Sequence, residues 1–106
     1  MNVLFLCTQN RMRSPTAEQV FASWPGIETD SAGLHSSAQV VLSPEQIQWA
    51  DIIVVMEQRH RTTLSKNYGA HLKNKRVICV DVPDKYPFMD PTLVAELEAK
   101  VGPHLK

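Results

Sequence analysis

Residues 2–15 of this 106-residue chain read NVLFLCTQNRMRSP, and this stretch decides the fold. It opens with an apolar run at residues 2–6, which is typical of a strand that is buried on both faces of a sheet. The pair Ser14-Pro15 then precedes residues 16–24, which we predict to form a helix. Cys7 and the residues that follow it therefore lie in a loop between a buried strand and a helix.

The rest of the chain repeats this alternation of short apolar runs and helical stretches. A further strand is predicted at 27–32, between the turn signal Pro25-Gly26 and Gly33. Apolar or β-branched runs predict strands at 51–56 and 76–80. Further helices are predicted at 44–50, at 58–67 and from residue 91 onward. The order β-α-β-α-β-α-β-α indicates an α/β fold, a doubly wound, four-stranded parallel sheet flanked by helices, with residues 1–106 as a single domain.

The composition excludes several classes of protein. Eleven basic and eleven acidic side chains give a formal net charge of zero, which argues against a protein held on nucleic acid or an anionic membrane by its overall field. No apolar run approaches the ~18 residues of a membrane span. Both cysteines lie inside apolar runs, which predicts a reducing, cytoplasmic location rather than a disulfide framework. The four histidines lack metal-ligand spacing, so we expect no metal. His60 follows the third predicted strand, which leaves a position near the site open, but we expect it on the surface of a helix.

The loop after the first predicted strand is the candidate functional site. Doubly wound sheets bind their ligands at the carboxyl ends of the strands. A short loop that closes onto a helix N-terminus can turn successive backbone N–H groups toward an anion, and the helix end adds partial positive charge. The residues that we predict to bind a phosphate group or support this loop are Thr8, Gln9, Asn10, Arg11, Met12 and Ser14.

Cys7 and Arg13 carry the predicted chemistry. Positive potential from the loop amides and Arg13 favours the thiolate form of Cys7, which is the nucleophilic form. The planar fork of Arg13 can hold two phosphoryl oxygens at once, and Ser14 can donate its hydroxyl to the sulfur. A lone buried cysteine at a strand end is usually inert, but an arginine six residues later and Ser-Pro before a helix favour a phosphate site. The predicted reaction is phosphate monoester hydrolysis in two displacements, without a cofactor.

The residues quoted so far closely resemble the signature of the low-molecular-weight protein tyrosine phosphatases. The resemblance lies in residues 3–7 and 13–18 and continues in residues 30–33 and 50–57. It implies that Cys7 is the nucleophile and Arg13 the phosphate clamp. It also implies that Asn10 and Ser14 organise the loop and that Ser31 joins the hydrogen-bond network behind it. The implied substrate is a phosphotyrosine-containing protein or a small aryl phosphate.

The resemblance further implies that the general acid is an aspartate on the loop after the fourth strand. Asp81, Asp84 and Asp90 are all available. Asp90 precedes a proline, as the acid of the family does, but it is equally well explained as a helix N-cap. We predict Asp84, which lies closer to the strand end and has Tyr86 two residues on, where its ring could line a pocket for an aryl group.

The chain also departs from the pattern of the family. Gln9 stands where the family usually has glycine, and Met12 stands where many members have a second loop cysteine. The segment between Gly33 and Ser43 is shorter than the family norm, so a helix and the aromatic wall of the cleft are expected to be absent. These departures keep a second function open, a catalytically weak phosphate-binding or phosphoprotein-binding module on the same fold.

Two other classes use a similar loop. A thioredoxin-coupled arsenate reductase needs two further cysteines, and this chain has only Cys79 besides Cys7. A phosphocysteine carrier of the sugar phosphotransferase type would not need an arginine clamp, so Arg13 argues against it.

Overall fold

The computed structural model describes residues 1–106 and has the predicted order of strands and helices. The strands β1 to β4 span Asn2–Cys7, Glu28–Gly33, Ile52–Val55 and Arg76–Cys79. The helices α1 to α4 span Arg13–Phe21, Pro44–Trp49, Gln58–Tyr68 and Pro91–Leu105, and a short 3-10 turn, Gly69–His71, follows α3. The predicted α/β fold class is thereby confirmed.

All strand pairs in the sheet are parallel, and the strand order is β2-β1-β3-β4. The central strand β1 pairs with β2 on one side and with β3 on the other. The chain therefore changes direction across the sheet at β1, and the loop at the carboxyl end of β1 lies at the topological switch point. Open α/β sheets form their binding crevices at this point.

Strand β1 is buried on both faces, as its apolar run predicts. Val3 and Phe5 pack into one core cluster with side chains of α1 and α4, among them Phe21 and Leu97. Leu4 and Leu6 pack on the opposite face with Ile47 of α2 and Leu64 of α3. The protein thus has three layers, with two helices on each side of the sheet. None of the helices has both the length and the hydropathy that a membrane span requires.

Helix α1 begins three residues earlier than predicted, at Arg13 rather than at Thr16, and also ends three residues earlier, at Phe21 rather than at Trp24. Pro15 does not prevent this, because a proline in the first turn removes an N–H that has no partner within the helix. The other internal boundaries lie within one residue of the prediction. The earlier start matters for the site, since it fixes Arg13 and Ser14 in the first helical turn rather than in a loop.

The segment between β2 and α2 packs against the loop that follows β1. It contains no helix and no aromatic residue, and its one sheet-like contact is a bridge between Gly33 and Val41. A Cβ atom on Gly33 would lie only 2.4 Å from Cβ of Ala38 and 2.7 Å from the carbonyl oxygen of Thr8. Glycine is therefore required here so that the two loops can approach closely.

Candidate active site

The loop between β1 and α1 offers a row of backbone donors. The backbone N–H groups of residues 8–12 donate to no acceptor in the protein. Helix α1 follows directly, and its N-cap residue, Met12, makes no side-chain capping bond. Unpaired amides and an uncapped helix N-terminus both favour negative charge, so this loop is suited to bind an anion.

Asn10 determines the shape of the loop. It adopts a left-handed backbone conformation with φ of 55°, which asparagine tolerates better than most residues. Its buried side-chain amide donates hydrogen bonds of 2.9 Å to the hydroxyl oxygens of Ser14 and Ser31. Gln9 does not have a positive φ, so replacing the glycine of the family at this position costs no backbone strain. Its side-chain carbonyl instead accepts a hydrogen bond from Ser37 at 2.9 Å.

The same amide sets the direction of the hydrogen bonds around Cys7. Because the Asn10 amide can only donate, the Ser14 oxygen accepts from it and keeps its own proton for another partner. That partner is the Cys7 sulfur, which lies 2.9 Å from the Ser14 oxygen, while the carbonyl of Ala32 is more distant at 3.5 Å. Ser31 in the same way donates to the carboxylate of Glu18 at 2.5 Å. A hydroxyl donor therefore points at the sulfur, where it would stabilise a thiolate.

Arg13 is held beside the loop by groups from distant parts of the chain. Its side chain is 2% exposed, and its Nη1 donates to the Glu57 carboxylate at 2.5 Å and to the carbonyl of Val82 at 2.9 Å. The other terminal nitrogen, Nη2, lies 3.7 Å from a carboxylate oxygen of Asp84. One edge of the guanidinium is thus anchored to the protein, and the other edge is available to a ligand.

Glu57 is a site residue that the sequence did not predict. It also accepts a hydrogen bond of 3.1 Å from Arg59. The hydrogen bond from Arg59, together with that from Arg13, lowers the pKa of Glu57 from 4.5 to about 2. Glu57 is therefore ionised and anchors the guanidinium of Arg13 over a wide pH range. Its only signal in the sequence was an acidic residue directly after a buried strand.

The three candidate aspartates lie in different surroundings. Asp84 lines a cavity of about 210 Å³ together with residues of the loop, namely Cys7, Gln9, Arg11, Met12 and Arg13. Asp81 accepts a hydrogen bond from the Cys79 thiol at 3.4 Å and does not line this cavity. Asp90 caps α4 by accepting from the backbone N–H of Thr92 at 2.8 Å. Of the three, Asp84 is the one that faces the cavity of Cys7.

The expectation that Tyr86 lines a pocket for an aryl group is wrong. Its ring packs against the core, and its hydroxyl donates to the carboxylate of Glu96 at 3.0 Å. Neither Tyr86 nor any other aromatic residue lines the cavity of Cys7. The cavity therefore offers polar and charged groups rather than an aromatic wall.

The expectation for His60 is also wrong, because this side chain is buried and only 3% exposed. Its Nδ1 accepts a hydrogen bond from the backbone N–H of Glu57 at 3.1 Å, so the proton is on Nε2 and is donated to the Thr8 hydroxyl at 2.9 Å. Burial, and after it the positive charge of Arg13, lowers the pKa of His60 from 6.5 to about 4. His60 is therefore neutral near pH 7 and ties α3 to the loop.

The low pKa of His60 predicts a loss of stability in mild acid. In the unfolded chain this histidine takes up a proton as the pH falls below about 6.5, whereas in the folded protein it stays neutral until about 4. The free energy of unfolding should therefore fall by about 1–2 kcal/mol between pH 7 and pH 5. Urea denaturation measured at several pH values checks this. A His60→Asn variant should lack this part of the pH dependence. Substitution of the exposed His71 is the control and should leave the pH dependence of the wild type unchanged. If the free energy of unfolding changed equally with pH in wild type and in His60→Asn, the assignment to His60 would be contradicted.

Solved structures share this architecture over nearly the whole chain. A cysteine-to-serine mutant of the YwlE arginine phosphatase with a phosphorylated active-site serine superposes with a TM-score of 0.79 at 21% identity, over 99% of this chain and 95% of that one. The tyrosine phosphatase Wzb from Escherichia coli K30, in complex with phosphate, gives 0.77 at 18% identity, over 97% and 88%. The low molecular weight protein tyrosine phosphatase from T. tengcongensis gives 0.72 at 23% identity, over 96% and 93%.

This chain has the fold of the low molecular weight protein tyrosine phosphatases. A thioredoxin-dependent arsenate reductase from Corynebacterium glutamicum has the same low molecular weight phosphatase fold, with a TM-score of 0.70 at 15% identity, over 98% of this chain and 59% of that one. No protein-family model and no curated protein sequence matches the chain. The fold is therefore assigned from structural similarity, and any argument for an activity must be made from the residues of the site.

Proposed function

We propose that this protein is a phosphate monoester hydrolase that acts through a phosphocysteine intermediate, with phosphotyrosine-containing proteins or small aryl phosphates as substrates. The observation that carries the proposal is the convergence of Cys7, Arg13 and Asp84 on one cavity of about 210 Å³. These residues supply a nucleophile, a bidentate oxyanion clamp and a proton donor, which are the three groups that such a reaction needs.

Binding would place the phosphate group against the loop. The unpaired N–H groups of residues 8–12 would donate to its oxygens, and the available edge of the Arg13 guanidinium would add two parallel hydrogen bonds. Because Glu57 and Val82 already hold the other edge, the guanidinium loses little conformational freedom when the ligand binds. The same donors would stabilise the charge that develops on the phosphoryl oxygens in the transition state.

In the first displacement the Cys7 thiolate attacks phosphorus. An S–P bond forms while the bond from phosphorus to the ester oxygen breaks, and that oxygen leaves with the electron pair. Asp84, in its protonated form, donates a proton to the leaving oxygen, which is most needed when the leaving group is a poor one. The hydroxyl of Ser14, which lies 2.9 Å from the sulfur, holds the thiolate in place before attack.

In the second displacement water attacks the phosphocysteine. The carboxylate of Asp84 takes a proton from this water as the new P–O bond forms and the S–P bond breaks. The electron pair of the broken bond returns to the sulfur, where the Ser14 hydroxyl stabilises the thiolate as a leaving group. Inorganic phosphate leaves, and Asp84 is again protonated for the next turnover.

The position of the second cysteine argues against an arsenate reductase. Cys79 is on β4, two strands away from β1, which at ~4.8 Å per strand is roughly 10 Å. Two cysteines form a disulfide only when their Cα atoms lie within about 7 Å. Cys79 therefore cannot take up the oxidation of Cys7 without a large movement of the sheet.

The role of Asp84 is tested by the dependence on the leaving group. An Asp84→Asn variant should hydrolyse phenyl phosphate about 10²–10⁴-fold more slowly than wild type, because phenolate leaves poorly without a proton. Hydrolysis of p-nitrophenyl phosphate should fall much less, since nitrophenolate leaves well without protonation. Steady-state turnover of the two substrates, measured under reducing conditions, gives the comparison.

The chain offers two matched controls for this test. Asp81→Asn retains a residue that tolerates the left-handed backbone conformation at that position, where φ is 52°. Asp90→Asn retains an equally good N-cap for α4. Both controls should keep wild-type turnover of both substrates. Equal losses for the two substrates in Asp84→Asn, or a leaving-group effect in a control instead, would remove the assignment of Asp84.

A wild-type protein that binds inorganic phosphate but hydrolyses neither substrate would contradict the enzymatic proposal. That result would favour the second function, a phosphate-binding or phosphoprotein-binding module. The lack of an aromatic wall at the cavity is compatible with such a module.

A further inference from the structure

One cation at the cavity of Cys7 has no partner in the protein. Arg11 lies in the middle of the loop, is exposed, and lines the cavity together with Cys7 and Asp84. It takes part in none of the ion pairs of the protein, whereas Arg13 and Arg59 both pair with Glu57. Its side chain also makes no hydrogen bond to the rest of the chain, so its charge remains available to a ligand.

The charges around the cavity differ between its floor, which is formed by the buried Cys7 and Arg13, and its rim, which is formed by the other lining residues. At the floor, the charge of Arg13 is offset by Glu57 at 2.5 Å and by Asp84 at 3.7 Å. At the rim, Arg11 stands with Gln9 and Met12, neither of which carries a charge, and with the exposed carboxyl of Asp84. Asp84 acts as the proton donor in the proposed mechanism and is then neutral. A phosphate group on the floor would bond to the amides and Arg13, and the remainder of the substrate would extend past the rim. When Asp84 is in its protonated form, the guanidinium of Arg11 is therefore the charge that the rim presents to that remainder.

Charge is also the main means of recognition that the rim offers. No aromatic side chain lines the cavity, and the segment between β2 and α2 contains none. A phenylalanine, tyrosine or tryptophan ring on which a substrate ring could stack is thus not present there. A planar guanidinium, in contrast, binds a carboxylate or a second phosphate with two parallel hydrogen bonds.

We propose that Arg11 selects phosphate monoesters that carry a second anionic group on the leaving side, beyond the phosphate that is removed. A carboxylate on a small ester and an acidic side chain beside a phosphorylated residue both have this chemistry. The inference rests on the proposed function, because it assumes that the phosphate group occupies the floor at Cys7. Arg11 acts on the choice of substrate rather than on the reacting atoms.

The test compares two substrates of nearly equal size, 4-carboxyphenyl phosphate and 4-carbamoylphenyl phosphate, which differ in charge. The quantity measured is the ratio of their kcat/KM values, carboxylate over amide. An Arg11→Gln variant should lower this ratio about two- to fivefold relative to wild type, as expected for an exposed charge pair. The intrinsic difference between the two leaving groups cancels, because the same two substrates are compared in both proteins. Added salt should lower the ratio in wild type and leave it nearly constant in Arg11→Gln.

Lys66→Gln is the matched control, since Lys66 is an exposed cation on α3 that does not line the cavity. It should leave the ratio at its wild-type value. An Arg11→Gln variant with an unchanged ratio would overturn the proposal. This includes the case in which kcat/KM falls by the same factor for both substrates, because Arg11 would then serve the phosphate group or the loop itself.

A second measurement separates this inference from the proposed enzymatic activity. The corresponding 4-carboxyphenyl and 4-carbamoylphenyl phosphonates are not hydrolysed, and calorimetry gives the ratio of their dissociation constants. In Arg11→Gln the dissociation constant of the carboxyphenyl compound should rise about two- to fivefold relative to that of the carbamoylphenyl compound, which supports the inference. If wild type hydrolyses neither phosphate ester, this result still stands and only the enzymatic proposal fails. An unchanged ratio of the phosphonate dissociation constants overturns the inference even if the enzyme is active.

Discussion

Replacing Cys7 by serine is expected to lower kcat for an aryl phosphate by about 10⁴-fold or more. A serine hydroxyl at this position is not ionised near pH 7, and no general base lies beside it: the group within hydrogen-bond distance is the hydroxyl of Ser14, at 2.9 Å from the sulfur. The loop amides and Arg13 do not depend on the sulfur. Inorganic phosphate should therefore still bind to the Cys7→Ser variant, which separates loss of the nucleophile from loss of the site.

Cys79→Ser is the matched control for this experiment. Burial raises the pKa of the Cys79 thiol, and its sulfur donates to Asp81 rather than facing the cavity of Cys7. The control should therefore hydrolyse an aryl phosphate at the wild-type rate. Wild-type turnover in Cys7→Ser would exclude a phosphocysteine intermediate, and a large loss in Cys79→Ser would show that the sequence singled out the wrong cysteine.

Replacing Arg13 by lysine should lower kcat/KM by about 10²–10³-fold, although the positive charge is retained. The guanidinium makes two sets of contacts that depend on its planar arrangement of N–H groups. One terminal nitrogen is anchored by Glu57 and Val82, while Arg13 also lines the cavity, where its other terminal nitrogen lies 3.7 Å from Asp84. A lysine ammonium is a point charge and would be drawn to Glu57, so it could not also hold two phosphoryl oxygens. Affinity for inorganic phosphate, measured by calorimetry, should fall as well.

Arg76→Lys provides the comparison for Arg13→Lys, because Arg76 is exposed at the start of β4 and its only side-chain hydrogen bond is to His104. That variant should keep wild-type kcat/KM and phosphate affinity. Thermal unfolding of both variants shows whether Arg13→Lys is still folded, so that a loss of activity is not mistaken for a loss of structure. An Arg13→Lys variant within twofold of wild type would show that charge alone is sufficient and would remove the bidentate clamp from the mechanism.

Local patterns were enough to predict the architecture. A strand buried on both faces needs a continuous apolar run, and an amphipathic helix needs apolar residues at helical spacing, so residues near one another in sequence carry both signals. The capping box of Ser43 and Gln46 and the N-cap at Asp90 are also local, and both are present. The exception is α1, which begins and ends three residues earlier than predicted, so that Ser14 and Pro15 lie inside its first turn rather than before it.

Which of the three candidate aspartates faces the cavity of Cys7 depends on the path of the chain after β4. All three lie within ten residues of one another, and all three have a carboxyl group, which is suited to acid catalysis. Asp81 turns toward Cys79, Asp90 is occupied as a helix cap, and Asp84 reaches the nitrogen of Arg13 at 3.7 Å. The same path places the ring of Tyr86 against the core instead of in the cavity. No periodicity in the sequence distinguishes these outcomes, because the segment is irregular.

The sequence by itself determined the α/β architecture, the loop after the first strand, and Cys7 and Arg13 as its candidate chemical groups. Only the tertiary structure decided which side chains support that loop. Glu57 meets Arg13 across a separation of 44 residues, and His60 meets Thr8 across a separation of 52. These contacts exist because β1 and β3 are parallel neighbours whose carboxyl ends meet at the same edge of the sheet. The pairing of strands sets such distances, and a single strand's pattern of residues records only that it is buried, not which strand lies beside it.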